Sequence, residues 1–289
     1  MAGHHSIDYT SITAPYKELC MKGKGLGHLK NARGLSIEPV TGMIYVVEGG
    51  NTRIQVFSPE GSHQFILHPK FAKWGRVDLW GICINDGIVY VSDYQGGRIF
   101  LYTLDGDIIT VFAKGFTTNK KMIIKMQQPM GIAINQKGDI YVCEFGANCI
   151  LILENDSNNH IQTFHYQSPL SIVLRKDGSF IGSKGNLIYG KKTSAIESNQ
   201  MIYEGIWATL CWFGDFDSNG NIFMSDMKGH QILIYETSSG RPTLLHIIKM
   251  TFVGSPMGIA VDRNGRIICV TDSKLHFFKG NTKAISMYS

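Results

Sequence analysis

The 289-residue sequence lacks the features that mark several classes of protein. No apolar run approaches the roughly 18 residues that span a bilayer, and the N-terminus has no apolar stretch typical of a signal peptide. The six cysteines include no Cys-x-x-Cys pair, and a chain of this size does not need a disulfide scaffold. We therefore expect a cytoplasmic protein without membrane contact, whose thiols are buried and reduced.

Charge is also scarce in this sequence. Charged residues make up 18% of the chain, below the roughly 25% that is typical of soluble domains. The net charge is +5, but the basic residues form no continuous tract, so a polyanionic partner is permitted and not required. Instead, 44% hydrophobic residues and 32 glycines indicate a folded chain with many tight turns.

What the sequence does contain is a repeat of short, strand-like segments. Each copy has an apolar segment that begins at a small residue, then a second segment, a tight loop and a third segment. The small residues that anchor the copies stand at positions 34, 81, 131, 171, 214 and 258. Units of this length that contain only strands cannot bury both faces alone and are typical of propeller blades. The repeat therefore predicts an all-β fold, a six-bladed β-propeller.

The two ends of the chain supply the closure of the predicted ring. The sixth copy reaches the last residues after only three strands, whereas a spare strand near residues 16–20 precedes the first copy. Pairing this N-terminal strand with the last blade would remove an exposed sheet edge. We therefore expect a single monomeric domain over residues 1–289, with residues 1–13 either disordered or left over from cloning.

Residues 45–61 carry a more specific pattern, in which Glu48 ends one strand and Asn51-Thr52-Arg53-Ile54 opens the next. This stretch resembles an NHL repeat, whose blade has an acid at the end of its second strand and Asn-His-Arg-Ile in the following loop. The Gly-rich segment 22–29 resembles the lead-in to such a blade. The fourth copy departs from the pattern, because Gly182-Ser183-Lys184 stands where the acid belongs. The resemblance implies a six-bladed NHL propeller like the one in tripartite-motif (TRIM) ubiquitin ligases.

The acid and the loop arginine have a structural interpretation. Glu48 and Arg53, and likewise Asp93 and Arg98, stand five residues apart across a tight loop between antiparallel strands. We expect each pair to form an ion pair that holds its loop in place. Repetition of the motif favours this structural role over catalysis, because a catalytic acid is needed only once.

The register of the repeats places two rings of residues on one face of the predicted propeller. One ring precedes the anchor residues around the central channel, and the other lies in the loops between the second and third segments. The candidate binding residues on this face are Arg33, Arg53, Trp80, Tyr94, Arg98, Met130, Phe145, Lys184, Phe213, Lys228, His230, Met257 and Lys274.

The resemblance to TRIM propellers implies that this face binds single-stranded RNA or a protein. Tyr94 and Phe145 could stack on bases while Arg98 and Lys184 contact phosphates. The inner ring is mostly apolar, however, which suits a peptide side chain or a small hydrophobic ligand equally well. Solvated loops and simple packing of the channel are alternative interpretations of the same residues.

An enzymatic alternative comes from a resemblance to six-bladed lactonases and peptide-amidating lyases, which hold Ca²⁺ or Zn²⁺. No two of the ten histidines occupy equivalent inner positions in different copies, so a zinc site of three histidines is not expected. Asp215 follows an anchor glycine and could point into the channel, although a buried structural aspartate is the commoner outcome. We predict a binding platform without catalytic residues, metal or cofactor. A lyase, lactonase or other hydrolase that uses the channel is the alternative.

Overall fold

The computed structural model describes residues 6–67, 75–112, 116–117, 123–124, 126–154, 160–165, 167–174, 179–183, 187–191, 211–236 and 243–283. Within these ranges every regular element is a β-strand, as the segments rich in β-branched and aromatic residues predict. The strands of the first two repeats and of the segment before them are β1 Ser6–Asp8, β2 Lys17–Leu19, β3 Ala32–Ile37, β4 Ile44–Glu48, β5 Arg53–Phe57, β6 His63–Leu67, β7 Leu79–Asn85, β8 Ile88–Asp93, β9 Arg98–Thr103 and β10 Ile108–Phe112.

The strands of the remaining chain follow the same order. They are β11 Phe116–Thr117, β12 Ile123–Ile124, β13 Pro129–Ile134, β14 Ile140–Glu144, β15 Cys149–Leu153, β16 His160–His165, β17 Ser171–Leu174, β18 Ser179–Ser183, β19 Leu187–Lys191, β20 Cys211–Phe216, β21 Ile222–Asp226, β22 Gln231–Glu236, β23 Thr243–Lys249, β24 Ile259–Val261, β25 Ile267–Val270, β26 Leu275–Phe278 and β27 Asn281–Lys283.

The sheets are antiparallel and follow one another as the repeats do along the chain. The described residues form five four-stranded sheets, in the orders β3-β4-β5-β6, β7-β8-β9-β10, β13-β14-β15-β16, β20-β21-β22-β23 and β24-β25-β26-β2. We call the four strands of a sheet a to d, counted from the centre outwards. This architecture confirms the predicted all-β propeller.

The number of blades differs from the prediction. The described residues give five four-stranded blades and not six, because the fourth repeat contributes the three-stranded sheet β17-β18-β19. This repeat is the one whose sequence departs from the pattern. Gly182 and Gly190 stand inside its strands, where a glycine weakens a strand because it has no side chain to pack. Residues 192–210, in which a fourth strand would fall, lie outside the described residues.

The small anchor residues are explained by close contacts between neighbouring a strands. A Cβ atom on Gly34 would lie 2.7 Å from the carbonyl oxygen of Trp80, and one on Gly258 would collide with the carbonyl oxygen of Arg33. In both cases the backbone of the residue that precedes one anchor thus packs on the anchor glycine of the neighbouring repeat, where a larger side chain would not fit. The contact between Gly258 and Arg33 joins the last repeat to the first, and so closes the ring.

The N-terminal segment completes the last blade, as predicted. Strand β2 pairs with β26, with Lys17 opposite Phe277 and Leu19 opposite Leu275. At the same seam, the Glu18 carboxylate lies 2.9 Å from Lys274 Nζ and 3.3 Å from His276 Nδ1. The seam is therefore held by strand pairing and by charged groups together.

Residues 6–13, part of the segment that we expected to be either disordered or left over from cloning, pack on the propeller. Ser6–Asp8 pairs with Asn281–Lys283, and the Tyr9 side chain is only 1% exposed. The Tyr9 ring packs edge-on against Phe223, and its hydroxyl donates a hydrogen bond of 3.1 Å to Asp217. This segment is therefore part of the folded propeller. Residues 1–5 lie outside the described residues.

The described cysteines are free thiols. Cys143, Cys149 and Cys269 are buried, as expected, whereas Cys20 and Cys83 are half-buried. Burial raises the pKa of Cys83 to about 12, which keeps this thiol protonated and poorly nucleophilic at neutral pH.

Candidate functional site

Buried acids organise the face that carries the b–c loops. At the end of strand b, four repeats carry a fully buried acid, namely Glu48, Asp93, Glu144 and Asp226. Glu48 accepts a hydrogen bond of 2.9 Å from the backbone N–H of Lys30, and Asp93 accepts one of 2.8 Å from that of Asp78. Because Lys30 and Asp78 lie just before their a strands, each acid ties the b–c loop to the lead-in of strand a on the same face.

The two loop arginines complete these acids, as the five-residue spacing predicts. Arg53 Nε donates to Glu48 at 2.5 Å, and Arg98 Nε donates to Asp93 at 2.6 Å. The other nitrogens of Arg53 donate to three carbonyls of the Gly-rich lead-in, at 2.8, 2.9 and 3.0 Å. Only 6% of Arg53 and 8% of Arg98 is exposed. We therefore assign both side chains to the support of the face and not to the surface that a ligand would contact.

Repeats without the arginine satisfy the acid in other ways. In the fifth repeat, the side-chain amide of Gln231 donates to Asp226 at 2.8 Å. In the third repeat, Cys149 stands opposite Glu144, and the carboxylate accepts backbone hydrogen bonds from Gln127 and Gln128. Burial raises the pKa of Glu144 above its ordinary value. The b–c loops of these repeats therefore share a buried acid at the end of strand b. They differ in the residue opposite that acid, which is a charged arginine in two repeats and a neutral side chain in the other two.

Two other predicted cations of the face, Arg33 and Lys274, are also engaged with partners. Arg33 Nη1 lies 2.7 Å from the Asp78 carboxylate, and Lys274 Nζ lies 2.9 Å from that of Glu18. Lys228 is exposed in the turn after β21. The imidazole Nδ1 of His230 lies 3.1 Å from the Ser255 hydroxyl. The face therefore offers fewer available positive charges than its sequence suggests.

Two predicted residues lie wholly or partly outside the described part of the chain. Lys184 lies outside the described residues, and for Phe213 the structure gives the backbone position within β20. Met130 and Met257 are buried, with 3% and 9% exposed. These methionines belong to hydrophobic clusters between the sheets, so they support the face from below.

Three aromatic rings of the candidate set come together on this face. The ring of Trp80 lies 5.5 Å from that of Tyr94, and the ring of Tyr94 lies 6.3 Å from that of Phe145. The guanidinium of Arg33 stands 4.0 Å above the Trp80 ring. All three rings are half-buried and pack on the cluster that contains Met130. We call Arg33, Trp80, Tyr94 and Phe145 the aromatic patch.

The local sequence explains why the aromatic patch forms here. Tyr94 and Phe145 each directly follow a buried acid, at the start of the b–c loops of the second and third repeats. Trp80 precedes the anchor Gly81 and therefore lies at the inner ring. Backbone hydrogen bonds fix the acid in the interior. The side chain of the following residue is therefore held at the surface of the face that carries the b–c loops. The patch is nearly neutral, since Asp78 compensates the charge of Arg33.

Half-buried aromatic rings beside a compensated arginine suit recognition of apolar or aromatic side chains. Tyr, Trp and Arg are the residue types most enriched among the energetic anchors of protein interfaces. Their rings supply a large contact area at a low cost in conformational entropy. The aromatic patch therefore has the composition of a small protein-binding surface.

Neither a membrane-spanning helix nor a cluster of metal ligands occurs in the part of the chain that the structure describes. No described helix is long and apolar enough to cross a bilayer. Within the same residues, no three His, Cys, Asp or Glu side chains come together as a metal site.

Comparison with known sequences points to the same repeat family. The sequence model of the NHL repeat matches residues 126–153. The chain is 28% identical over 134 residues to the rat (Rattus norvegicus) E3 ubiquitin-protein ligase NHLRC1, an alignment that covers 46% of this chain and 31% of that protein. It is 24% identical to the human (Homo sapiens) E3 ubiquitin-protein ligase TRIM32, over 93% of this chain and 46% of that protein. The chain thus spans less than half the length of either relative.

Solved structures support the fold. The WD40 β-propeller domain of Doa1 superposes with a TM-score of 0.65 at 13% identity, over 94% of this chain and 98% of that one. A catalytically inactive virginiamycin B lyase from Staphylococcus aureus, solved with quinupristin, superposes with a TM-score of 0.62 at 13% identity. That match covers 91% of this chain and 98% of the lyase. At such low identity these likenesses concern the propeller architecture alone.

Proposed function

The chain is an NHL-repeat β-propeller, and on this premise we propose that it recognises a protein partner through the aromatic patch. The observation that carries the proposal is the set of three half-buried rings, Trp80, Tyr94 and Phe145, at centroid distances of 5.5 and 6.3 Å. Aromatic rings that pack on a hydrophobic cluster on one side and are exposed on the other typically bind an apolar side chain of a partner.

The charges of the same face favour a protein over RNA. Binding of single-stranded RNA relies on cations that contact phosphates and release counterions. Arg53 and Arg98 are buried in ion pairs, and Arg33 and Lys274 lie against carboxylates. Of the cations predicted to contact phosphates, Arg98 and Lys274 are thus paired, Lys228 is exposed, and Lys184 lies outside the described residues. RNA binding is therefore the weaker form of the proposal and becomes one outcome of its test.

The similar proteins suggest a context for this recognition. NHLRC1 and TRIM32 are both named E3 ubiquitin-protein ligases. Because this chain spans 31% of the first and 46% of the second, we extend the proposal only to partner recognition within ubiquitin ligation. The transfer of ubiquitin itself is not assigned to this segment.

The enzymatic alternative has less support. A lyase appears among the structural neighbours, but at 13% identity that likeness speaks for the fold and not for the reaction. We therefore rank catalysis in the channel below recognition on the face.

Selection from a displayed peptide library tests the proposal. Peptides that are selected on the wild-type propeller are expected to carry aromatic or branched apolar anchors. Their affinity should fall at least tenfold in Tyr94→Ala, since truncation of an interface aromatic anchor often costs about 2 kcal/mol or more. Phe252→Ala is the matched control, because it removes a fully exposed aromatic side chain outside the aromatic patch.

Two results would contradict the proposal. One is a set of selected peptides that bind Tyr94→Ala and Phe145→Ala as tightly as they bind the wild type. The other is tight binding of random single-stranded RNA that weakens steeply between 50 and 200 mM salt, while no peptide is selected. The second result would favour binding of single-stranded RNA, with the cations of this face in contact with phosphates.

A further inference from the structure

A cavity of ≈ 400 Å³ runs along the axis of the propeller. The residues that line it come from the a strands of all six repeats and include Leu35, Ile82, Ile132, Ile172, Asp215 and Ile259. The lining continues to the a–b turns of the first and sixth repeats, near Glu38 and Arg263. Since a–b turns and b–c loops lie at opposite ends of strand b, the cavity opens away from the aromatic patch. Its volume lies within the roughly 300–1,000 Å³ of small-molecule sites.

One position in the wall of this cavity differs from its equivalents. The residue that follows the anchor is Leu or Ile in five repeats and an aspartate, Asp215, in the fifth repeat. The five equivalent aliphatic side chains belong to the hydrophobic core clusters of the propeller. Asp215 therefore places a carboxylate in a wall that is otherwise built from aliphatic groups at this level.

The contacts of Asp215 leave part of its hydrogen-bonding capacity unused by the described residues. One carboxylate oxygen accepts the backbone N–H of Val261 at 2.7 Å, and the other accepts that of Phe216 at 2.8 Å. An ionised carboxylate has about four acceptor positions, so about two more can serve a donor inside the cavity. Burial raises the pKa of Asp215 to about 6, although the two backbone hydrogen bonds act in the opposite direction.

The charged groups near the cavity are distributed unevenly. Arg266 pairs with Asp262 at 3.0 Å at the a–b turn of the sixth repeat. Arg263 and Glu38 line the same outer end. Deeper in the cavity, the neighbouring Cys83 is a neutral thiol, because burial raises its pKa to about 12. A cation that enters the apolar part therefore meets the carboxylate of Asp215 as its counter-ion.

We propose that this cavity binds a small hydrophobic ligand that carries a protonated amine, with the amine donating to Asp215. The aliphatic a strands would cover the apolar body of the ligand, and the carboxylate would select its charged end. Asp215 is half-buried and has no cationic partner among the contacts above, and a protonated amine supplies both the opposite charge and further hydrogen-bond donors. This site is separate from the aromatic patch in position and in ligand chemistry.

A structural role for Asp215 makes a different prediction. The carboxylate links β20 of the fifth repeat to β24 of the sixth, through the N–H of Val261. If it served only as this link, an aliphatic replacement would change stability and would leave ligand selectivity unaffected. The variant Asp215→Leu is informative, because it gives the fifth repeat the residue type that the other repeats have.

The experiment compares 2-phenylethylamine with 2-phenylethanol, which share a body and differ in charge. At pH 8, calorimetric titration of the wild-type chain is expected to show at least tenfold tighter binding of the amine. Asp215→Leu should lose this preference, and so should Asp215→Asn, which keeps the size of the side chain and removes its charge. If Asp215→Leu fails to fold, Asp215→Asn alone carries the test.

Methyl resonances locate the bound amine. Ile82, Ile132 and Ile172 line the cavity, so their methyl signals should shift on addition of the amine to the wild type. The proposal is overturned if the alcohol binds as tightly as the amine, if either variant keeps the preference, or if these signals do not move. Tyr94→Ala should bind the amine normally, which separates failure of this site from failure of the aromatic patch.

Discussion

The b–c loops of the first and sixth repeats occupy the same place in the fold, and they are held by different chemistry. In the first repeat, the buried Glu48 binds Arg53 at 2.5 Å and Gln55 at 2.8 Å. In the sixth repeat, the position of the acid is taken by Thr271 and that of Gln55 by His276, whose imidazole Nε2 lies 3.2 Å from the Thr271 hydroxyl. The first loop thus has an ion pair at this place, whereas the sixth has a neutral hydrogen bond.

The missing acid of the sixth repeat is replaced from elsewhere in the chain. Glu18, on the N-terminal strand, lies 3.3 Å from His276 and 2.9 Å from Lys274. Asp272 accepts the backbone N–H of Asn31, at the lead-in of the first repeat, at 3.0 Å. The first loop is therefore held by its own repeat and by the lead-in that directly precedes it, whereas the sixth also contacts segments from the other end of the chain, which meet it only when the ring closes. Closure of the propeller and the ordered conformation of its sixth loop are therefore coupled.

Arg53→Ala should produce the largest change, because it breaks the internal ion pair of the first repeat. Removal of one partner leaves Glu48 as an uncompensated buried charge, which costs about 3–5 kcal/mol. Urea unfolding of the variant and the wild type measures this difference. A loss below about 1 kcal/mol would mean that the buried pair contributes no more than an exposed one.

Tyr9→Phe tests the anchoring of the N-terminal segment on the fifth repeat, next to the seam at which the ring closes. The variant keeps the packing on Phe223 and removes the hydrogen bond to Asp217, so we expect a loss of about 1–2 kcal/mol. Tyr16→Phe is the matched control, because Tyr16 is exposed and should tolerate the loss of its hydroxyl. Equal unfolding midpoints for Tyr9→Phe and the wild type would contradict a structural role for residues 6–13.

His276→Gln gives the sixth repeat the residue of the first and should remove a pH dependence. Burial lowers the pKa of His276, which outweighs the opposite effect of Glu18. A histidine with a lowered folded pKa takes up more protons when unfolded, so stability falls as pH drops below about 6.5, the ordinary histidine pKa. The wild type should therefore lose more stability than His276→Gln between pH 7 and pH 5. Parallel pH profiles would show that His276 does not titrate in this way.

Lys22→Ala should have the smallest effect. Lys22 Nζ lies 3.0 Å from Asp272, but both side chains are more than half exposed. Exposed pairs contribute about 0–1 kcal/mol, so the unfolding midpoint should hardly move. A loss as large as that of Arg53→Ala would show that the sixth loop depends on this surface contact, and the comparison of the two loops would have to be revised.

Local patterns in the sequence predicted the parts of the molecule that are fixed by local contacts. The anchor spacing predicted the propeller, and the five-residue spacing of Glu48 and Arg53 predicted their ion pair. The position of Tyr94 and Phe145 on the face with the b–c loops could be predicted because each follows a strand-ending acid. Glu48 and Arg53 lie within one repeat, so the spacing in the sequence and the contact in the structure have the same range.

The features that the sequence did not reveal depend on contacts between distant segments. Burial of Tyr9 is decided by Phe223 and Asp217 of the fifth repeat, and no local pattern marks it. The pairing of Arg33 with Asp78 joins two repeats, which changed a predicted cation of the face into a compensated one. The axial cavity is likewise a product of ring packing, although the exceptional Asp215 was visible as a break in the repeat.

The salt dependence of partner binding tests the central claim most directly. A peptide selected on the wild-type propeller should keep its affinity within about threefold between 50 and 500 mM NaCl, because the aromatic patch is apolar and its arginine is compensated. The same peptide should bind Tyr94→Ala at least tenfold more weakly at both salt concentrations. An affinity that falls steeply with salt and is indifferent to Tyr94 would contradict recognition through the aromatic patch.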